Sequence, residues 1–222
     1  MTLQPCFVVP EEHGSLFDRY FREIGSTASS WAVSTAKHGN GVHPLRDNDQ
    51  GTFWQSDGVL PHTVDIVFPK LSHIVCVGIL LHGRTDDSYT PKKMIIRASS
   101  GVGDLSEVAS TETQSPHGWV TMQLTQDGSA PPDIKQSFYD FAKLHQQAAA
   151  EQLETGPCSF TNGLDLGAHR SPLGMFATHL QIVITENHQQ GRDTHIRGIK
   201  VFAPHQVPAY QTSEFASGSE IR

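Results

Sequence analysis

Two polar segments hold the side chains most able to do chemistry. The first, NHQQGRDTHIR (187–197), brings Asn187, His188, Gln189, Arg192, Asp193, Thr194 and His195 close together in the chain. Imidazoles and carboxylates at this density raise the question of a metal, and His188, Asp193 and His195 would be its ligands. Their spacing fits neither H-E-x-x-H nor a cysteine–histidine finger, and no cysteine is near, so no metal is expected. The second segment, LRDNDQGTFWQSDGVLPH (45–62), carries Arg46, Asp47, Trp54, Gln55, Asp57 and His62 ahead of a strand-like run. Polar loops on a rigid β scaffold are common binding surfaces. Taken alone, Trp54 fits a plug at the end of a core better than a binding ring. For 187–197 two readings stay open, a loop bonded within itself and a ligand surface.

Signatures of catalysis are missing. There is no G-x-S-x-G elbow and no carboxylate pair in a general-acid setting. GVGDL (101–105) has glycines two apart but lacks the following helix and later glycine of a dinucleotide loop, so it is a turn. Neither an enzyme nor a bound cofactor is expected.

The elements that must position these segments are strands. TVDIVF (63–68) alternates apolar and polar residues, and HIVCVGILL (73–81) reads as one central strand covered on both faces. KKMIIRAS (92–99), WVTMQL (119–124), HLQIVIT (179–185) and RGIKVFAP (197–204) complete the set. Strands separated by turn residues and not alternating with helices predict an all-β antiparallel sandwich or barrel. Nineteen glycines, thirteen prolines and only 18% charged residues, against about 25% in ordinary domains, agree. Residues 126–172 break the pattern. Asp133 with Gln136 resembles a capping box, and Phe138, Phe141, Ala142, His145 and Ala149 recur at helical spacing, so this block reads as a helix-containing insertion. Residues 1–15 and 205–222 read as flexible ends.

Charge and cysteine usage narrow the partners. A formal charge of −7 disfavours nucleic acid or an anionic membrane. Cys6, Cys76 and Cys158 are scattered, which suits neither a disulfide framework nor a thiolate zinc site; Cys76 reads as a buried small hydrophobe. The opening MTLQPCFVVPEEHG lacks a signal pattern, and no apolar run approaches the ~20 residues of a membrane span, so a soluble protein of a reducing compartment is expected.

REIGS (22–26), LRD (45–47), WQSDG (54–58) with PH (61–62), DDSYTPKK (86–93), GW (118–119) and NHQQGRDTHIR (187–197) together resemble the DOC domain in order and spacing. The resemblance covers roughly 20–125 and 178–204 and is strongest to the stand-alone DOC subunits, the subunit 10 family, of the anaphase-promoting complex (cyclosome). SYTP after TDD (85–87) is a mild departure, and the 126–172 block lies outside the usual pattern. The resemblance implies a jelly-roll β-sandwich of the galactose-binding type over 16–204. It implies a non-catalytic subunit that, with a WD40 coactivator, captures destruction-box substrates and prolongs ubiquitination in the nucleus and cytoplasm during the cell cycle. The residues it assigns to the degron- and coactivator-facing end are Trp54, Gln55, Ser56, Asp57, Asp87, Ser88, Tyr89, Asn187, His188, Gln189, Arg192, Asp193, Thr194 and His195. Ile221-Arg222 resembles the family's isoleucine–arginine tail, which docks into a tetratricopeptide-repeat scaffold subunit. The alternative from another class is a glycan-binding jelly roll, with Trp54 stacking on a sugar. A hydrolase built from scattered His, Ser and Asp has the least support.

Overall fold

The computed structural model describes residues 7–9, 21–101, 103–124 and 174–204. The expected insertion helix, the 205–222 tail with Ile221-Arg222, Cys6 and Cys158 lie outside them. Among the described residues twelve strands occur in order: β1 (Phe7–Val9), β2 (Phe21–Glu23), β3 (Ser30–Val33), β4 (Trp54–Gln55), β5 (His62–Ile74), β6 (Cys76–His82), β7 (Pro91–Ser99), β8 (Ser106–Glu112), β9 (His117–Gln123), β10 (Met175–Asn187), β11 (His195–Ile196) and β12 (Gly198–Pro204). One short helix, α1 (Gly83–Asp86), follows β6. The strands form two five-stranded sheets, ordered β1-β9-β6-β12-β2 and β3-β5-β10-β7-β8, with β4 and β11 as a separate pair. Neighbours pair antiparallel, which is the expected all-β sandwich.

Alternation builds the core. Val64, Ile66 and Phe68 of β5 meet Leu180, Ile182 and Ile184 of β10 and Met94, Ile96 and Ala98 of β7 on the inner face. The other sheet supplies Val77, Ile79, Leu81, Val120, Met122, Ile199 and Val201. Cys76 is buried, and desolvation pushes its thiol pKa far up, so it packs as a hydrophobe.

Two expectations need revision. HIVCVGILL is not one strand: Ile74 ends β5, Cys76 begins β6, and the chain passes from one sheet to the other at Val75. There Val75 N donates to Phe202 O (2.8 Å) and Leu124 N donates to Val75 O (2.9 Å). A run apolar on both faces carries no alternation to mark such a crossing. Residues 7–9, placed by the sequence in a flexible N-terminal segment, pair with β9 in the register Phe7↔Thr121 to Val9↔Trp119.

The sandwich has two distinct poles. His62, opening β5, pairs with Ile184 near the end of β10, while Ile74 pairs with Met175 at the far end. The connections 34–61, 83–90 and 188–197 therefore gather at the first, or loop, pole. Leu124 and Gly174, which flank the insertion and bond to each other (N–O 2.8 Å), lie at the opposite pole, as does Pro204 at the end of β12.

Ile182, fully buried and paired with both Val64 and Ile96, tests the core. Ile182→Ala is expected to lower unfolding stability by about 2–5 kcal/mol in denaturant titration, with an unchanged m value.

Candidate functional site

The short β4–β11 pair ties two of the loops together, with His195 opposite Gln55 and Ile196 opposite Trp54. Side chains then lock this junction. Ser56 N donates to Thr194 O (3.1 Å) and Thr194 N donates to Ser56 Oγ (2.8 Å). Thr194 Oγ1 donates to Asn187 Oδ1 (3.0 Å), and Asn187 Nδ2 donates to the carbonyls of Gly191 (3.2 Å) and Asp193 (2.9 Å). Asn187 thus staples the turn that follows it, satisfying backbone groups that would otherwise be buried without partners. Trp54 Nε1 donates to Thr35 O (2.9 Å) while the ring sits in the core.

Trp54, Ser56, Asn187 and Thr194 are all 1% exposed or less. The resemblance placed them on the ligand-facing side; the structure places them beneath it, as the frame. The plug reading of Trp54 describes its position, and no face of its ring is open to a sugar.

Under the same surface lies a charged centre. Arg197 donates from Nε to Asp86 Oδ2 (2.9 Å), from one terminal nitrogen to Asp86 Oδ1 (2.5 Å), and from the other to Gln50 O (2.8 Å). His195 Nδ1 is 3.4 Å from Asp86 Oδ1, and the imidazole is stacked against both Phe53 and Tyr89 with ring centroids 4.2 Å away in each case. The guanidinium also lies over Phe53, 5.2 Å from its centroid. Burial alone would raise the Asp86 pKa, but the hydrogen bonds from His195 and Arg197 and the guanidinium charge outweigh it and hold the carboxyl below its ordinary value. Asp86 and Arg197 were missed as site residues because a charged pair between sheet and loop leaves no periodic signal. The doublet Asp86-Asp87 and a charge ahead of the apolar run Gly198–Ala203 were the available hints.

What remains at the surface is a polar rim. Asp57, Asp87, Tyr89, Gln189 and Arg192 are exposed, while Gln55, Ser88, His188, Asp193 and His195 are partly covered. Lys37, also unforeseen, bonds Asp57 (2.9 Å) and lies 3.6 Å from Asp193, whose Oδ2 accepts from Gln55 Nε2 (3.3 Å). His62, itself buried, donates from Nε2 to Arg192 O (2.8 Å). Two turns face each other closely. His188 N donates to Thr90 O (2.9 Å), and Gln189 donates to Asp87. Asp87, Gln189 and Gln190 all have positive φ (46°, 50° and 59°), a conformation that costs an ordinary residue free energy and persists where surrounding bonds over-determine it. Gly191 must be glycine, because a Cβ there would come within 1.7 Å of Ser88 O.

The imagined metal ligands do not converge. His188 turns towards Thr113 Oγ1 (3.5 Å), Asp193 towards Lys37 and Gln55, and His195 towards Asp86. Among the described residues, no three His, Cys, Asp or Glu side chains gather as a metal site. The arrangement suits hydrogen bonding and charge recognition by the rim.

The Asp86 pair makes a direct test. Asp86→Asn leaves the Arg197 guanidinium buried and uncompensated, with an expected loss of about 3–5 kcal/mol at pH 7 in denaturant unfolding. Because the folded-state pKa lies below the unfolded one, the carboxylate's contribution is complete above its ordinary value near 3.8 and fades as pH falls through the folded value. The gap between wild type and variant therefore narrows in acid.

With this geometry in view, comparison with known proteins is informative. The family model described as anaphase-promoting complex, subunit 10 matches residues 11–221. The chain is 37% identical over 180 residues to anaphase-promoting complex subunit 10 of Dictyostelium discoideum, covering 81% of this chain and 72% of that protein. It is 32% identical over 183 residues to the Homo sapiens protein of the same name, with 82% and 75% covered. To the Schizosaccharomyces pombe protein it is 32% identical over 210 residues, with 91% and 88% covered. Among solved structures, the CBM32-1 and CBM32-2 domains of Clostridium perfringens ZmpB superpose with a TM-score of 0.59 at 10% identity, covering 91% of this chain and 41% of that one. The family 32 CBM of C. perfringens NanJ, in complex with galactose, gives 0.52 at 12% identity, covering 82% and 98%. At such low identity these structures establish the shared jelly-roll fold. The relatives establish more: this chain belongs to the anaphase-promoting complex subunit 10 family and is a subunit of that complex, not itself an enzyme.

Proposed function

We propose that the loop pole is one half of a destruction-box receptor, completed by a WD40 coactivator, and that it prolongs each substrate encounter during ubiquitination in nucleus and cytoplasm. The observation that carries this reading is the layered loop pole. Exposed Asp57, Asp87, Gln189 and Arg192 project from a frame immobilised by Asn187, Ser56, Thr194 and Arg197. Pre-ordered donors and acceptors lose little conformational freedom on binding an extended peptide. A shallow half-site of this kind gains affinity through effective concentration once a neighbouring protein holds the same ligand.

The tail completes the proposal. Residues 205–222 follow Pro204, which lies at the pole opposite the loops, and Ile221-Arg222 docks into a tetratricopeptide-repeat scaffold subunit. Burying an Ile contributes about 1.5–3 kcal/mol and a charge-assisted hydrogen bond about as much again, less the cost of ordering.

Replacing Gln189 and Arg192 together by Ala, both exposed, is expected to reduce the number of ubiquitins added per substrate encounter in the reconstituted complex while subunit stoichiometry stays the same. Unaltered processivity would refute the loop-pole assignment. Deleting Ile221 and Arg222 is expected to weaken retention in the purified complex without changing the thermal midpoint of the isolated chain; full retention would remove the tail from the account.

A further inference from the structure

A groove on the flank of the sandwich, separate from the rim of the loop pole, is built like a peptide-docking site. An open depression of about 360 Å³, it is lined by Ala28, Ser30, the half-buried Trp31, Val42, His43 and Arg46. Trp31 cannot swing away, because its Nε1 donates to Gly25 O (3.1 Å) and the residue packs against the core. The Arg46 guanidinium lies 4.8 Å from the Trp31 ring centroid, exposed, and meets no carboxylate among the described residues. Its neighbour Asp47 accepts from Thr52 Oγ1 (2.8 Å) and the Asp49 amide (2.9 Å), and its Oδ2 also lies 3.7 Å from Nδ1 of His43 in the groove lining.

The groove runs along β3, which is the edge of its sheet. Edge strands usually carry charges, proline or a bulge that discourage pairing with another chain. β8, at the opposite edge, has Glu107 and Glu112 and a register shift against β7. β3 is Ser-Trp-Ala-Val, without charge or proline and in unbroken register with β5, and Ser30 and Ala32 are exposed. Among the described residues no strand pairs with the outer side of β3, and the groove adjoins it through Ser30 and Trp31, with Arg46 stacked on the Trp31 ring and in no ion pair.

We infer that this flank binds an extended acidic segment of another subunit of the complex, added antiparallel or parallel to β3. An apolar side chain of that segment enters the groove beside Trp31, and an Asp or Glu a few residues away pairs with Arg46. Main-chain bonds to the edge supply general affinity, while the pocket and the guanidinium supply selection. A basic residue placed against Arg46 is disfavoured by like charge, and the degron half-site on the loop pole is not involved.

The test uses the full chain and overlapping twelve-residue peptides tiled over the other subunits of the complex. Peptides that bind are expected to carry Asp or Glu within a few residues of Leu, Ile or Phe. Arg46→Glu should weaken them at least tenfold and Arg46→Lys much less, whereas Gln189→Ala with Arg192→Ala at the loop pole should leave them unchanged. Amide hydrogen exchange of residues 30–33 should slow when the best peptide is bound. The inference is overturned if no peptide binds, if binding ignores peptide charge or the Arg46→Glu change, or if exchange along β3 is unaltered.

Discussion

Everything at the loop pole depends on one guanidinium. Arg197 stands between β11 and β12, grips Asp86 at the end of α1, and bonds the Gln50 carbonyl in the long connection between β3 and β4. A single cation therefore fastens all three segments that form the candidate surface. The centre is dry, because Arg197 and Asp86 are only 8% and 5% exposed. In such surroundings an ion pair is costly to break but holds its geometry closely, with hydrogen bonds that fix direction as well as distance. His195, stacked against Phe53 and Tyr89 with Nδ1 turned to Asp86, carries that order outwards to the half-exposed tyrosine.

The consequence is a division between residues that hold and residues that reach. Asn187 Nδ2 and Ser56 Oγ bond the backbone and Thr194 Oγ1 bonds Asn187, which ties 188–193 down at both ends. Gln189, Arg192, Asp57 and Asp87 stay exposed at the rim, with Gln189 bonded to Asp87 and Asp57 paired with Lys37. Positive φ at Asp87 and Gln189, in turns that bond to each other, shows that the facing turns are set by tertiary contacts against local preference. Under the proposed function such rigidity is an advantage, because a subunit that orients a ligand held by a second protein as well loses little freedom on binding.

Much of this was legible in the chain. Alternation in β5, β7 and β10 and the dense apolar run of β6 gave the sandwich, and the two polar segments were recognisable as one neighbourhood once matched to the DOC pattern. Periodicity could not show where HIVCVGILL changes sheets, because every residue from Ile74 to Leu81 is buried. It also passed over β1, β2, β3, β4 and β11, which are two to four residues long and held by pairing across the fold, and the seven-residue β8, whose Ser-Glu-Val-Ala-Ser-Thr-Glu sequence has few large apolar residues. Within 187–197, Asn187 and Thr194 bond inward, as a loop bonded within itself requires, while Gln189 and Arg192 are exposed. Sequence types alone cannot make that division, because Asn, Thr and Gln serve a frame or a rim equally well.

The most direct measurement is site-specific photocrosslinking in the reconstituted complex with coactivator and a destruction-box substrate. A photoreactive residue at position 189 or 192 is expected to capture substrate or coactivator, in a manner dependent on the destruction box, while the same residue at exposed Leu71, towards the other pole of the sandwich, captures neither. Equal capture from position 71, or none from 189 and 192 in an active complex, would contradict a degron-gripping loop pole.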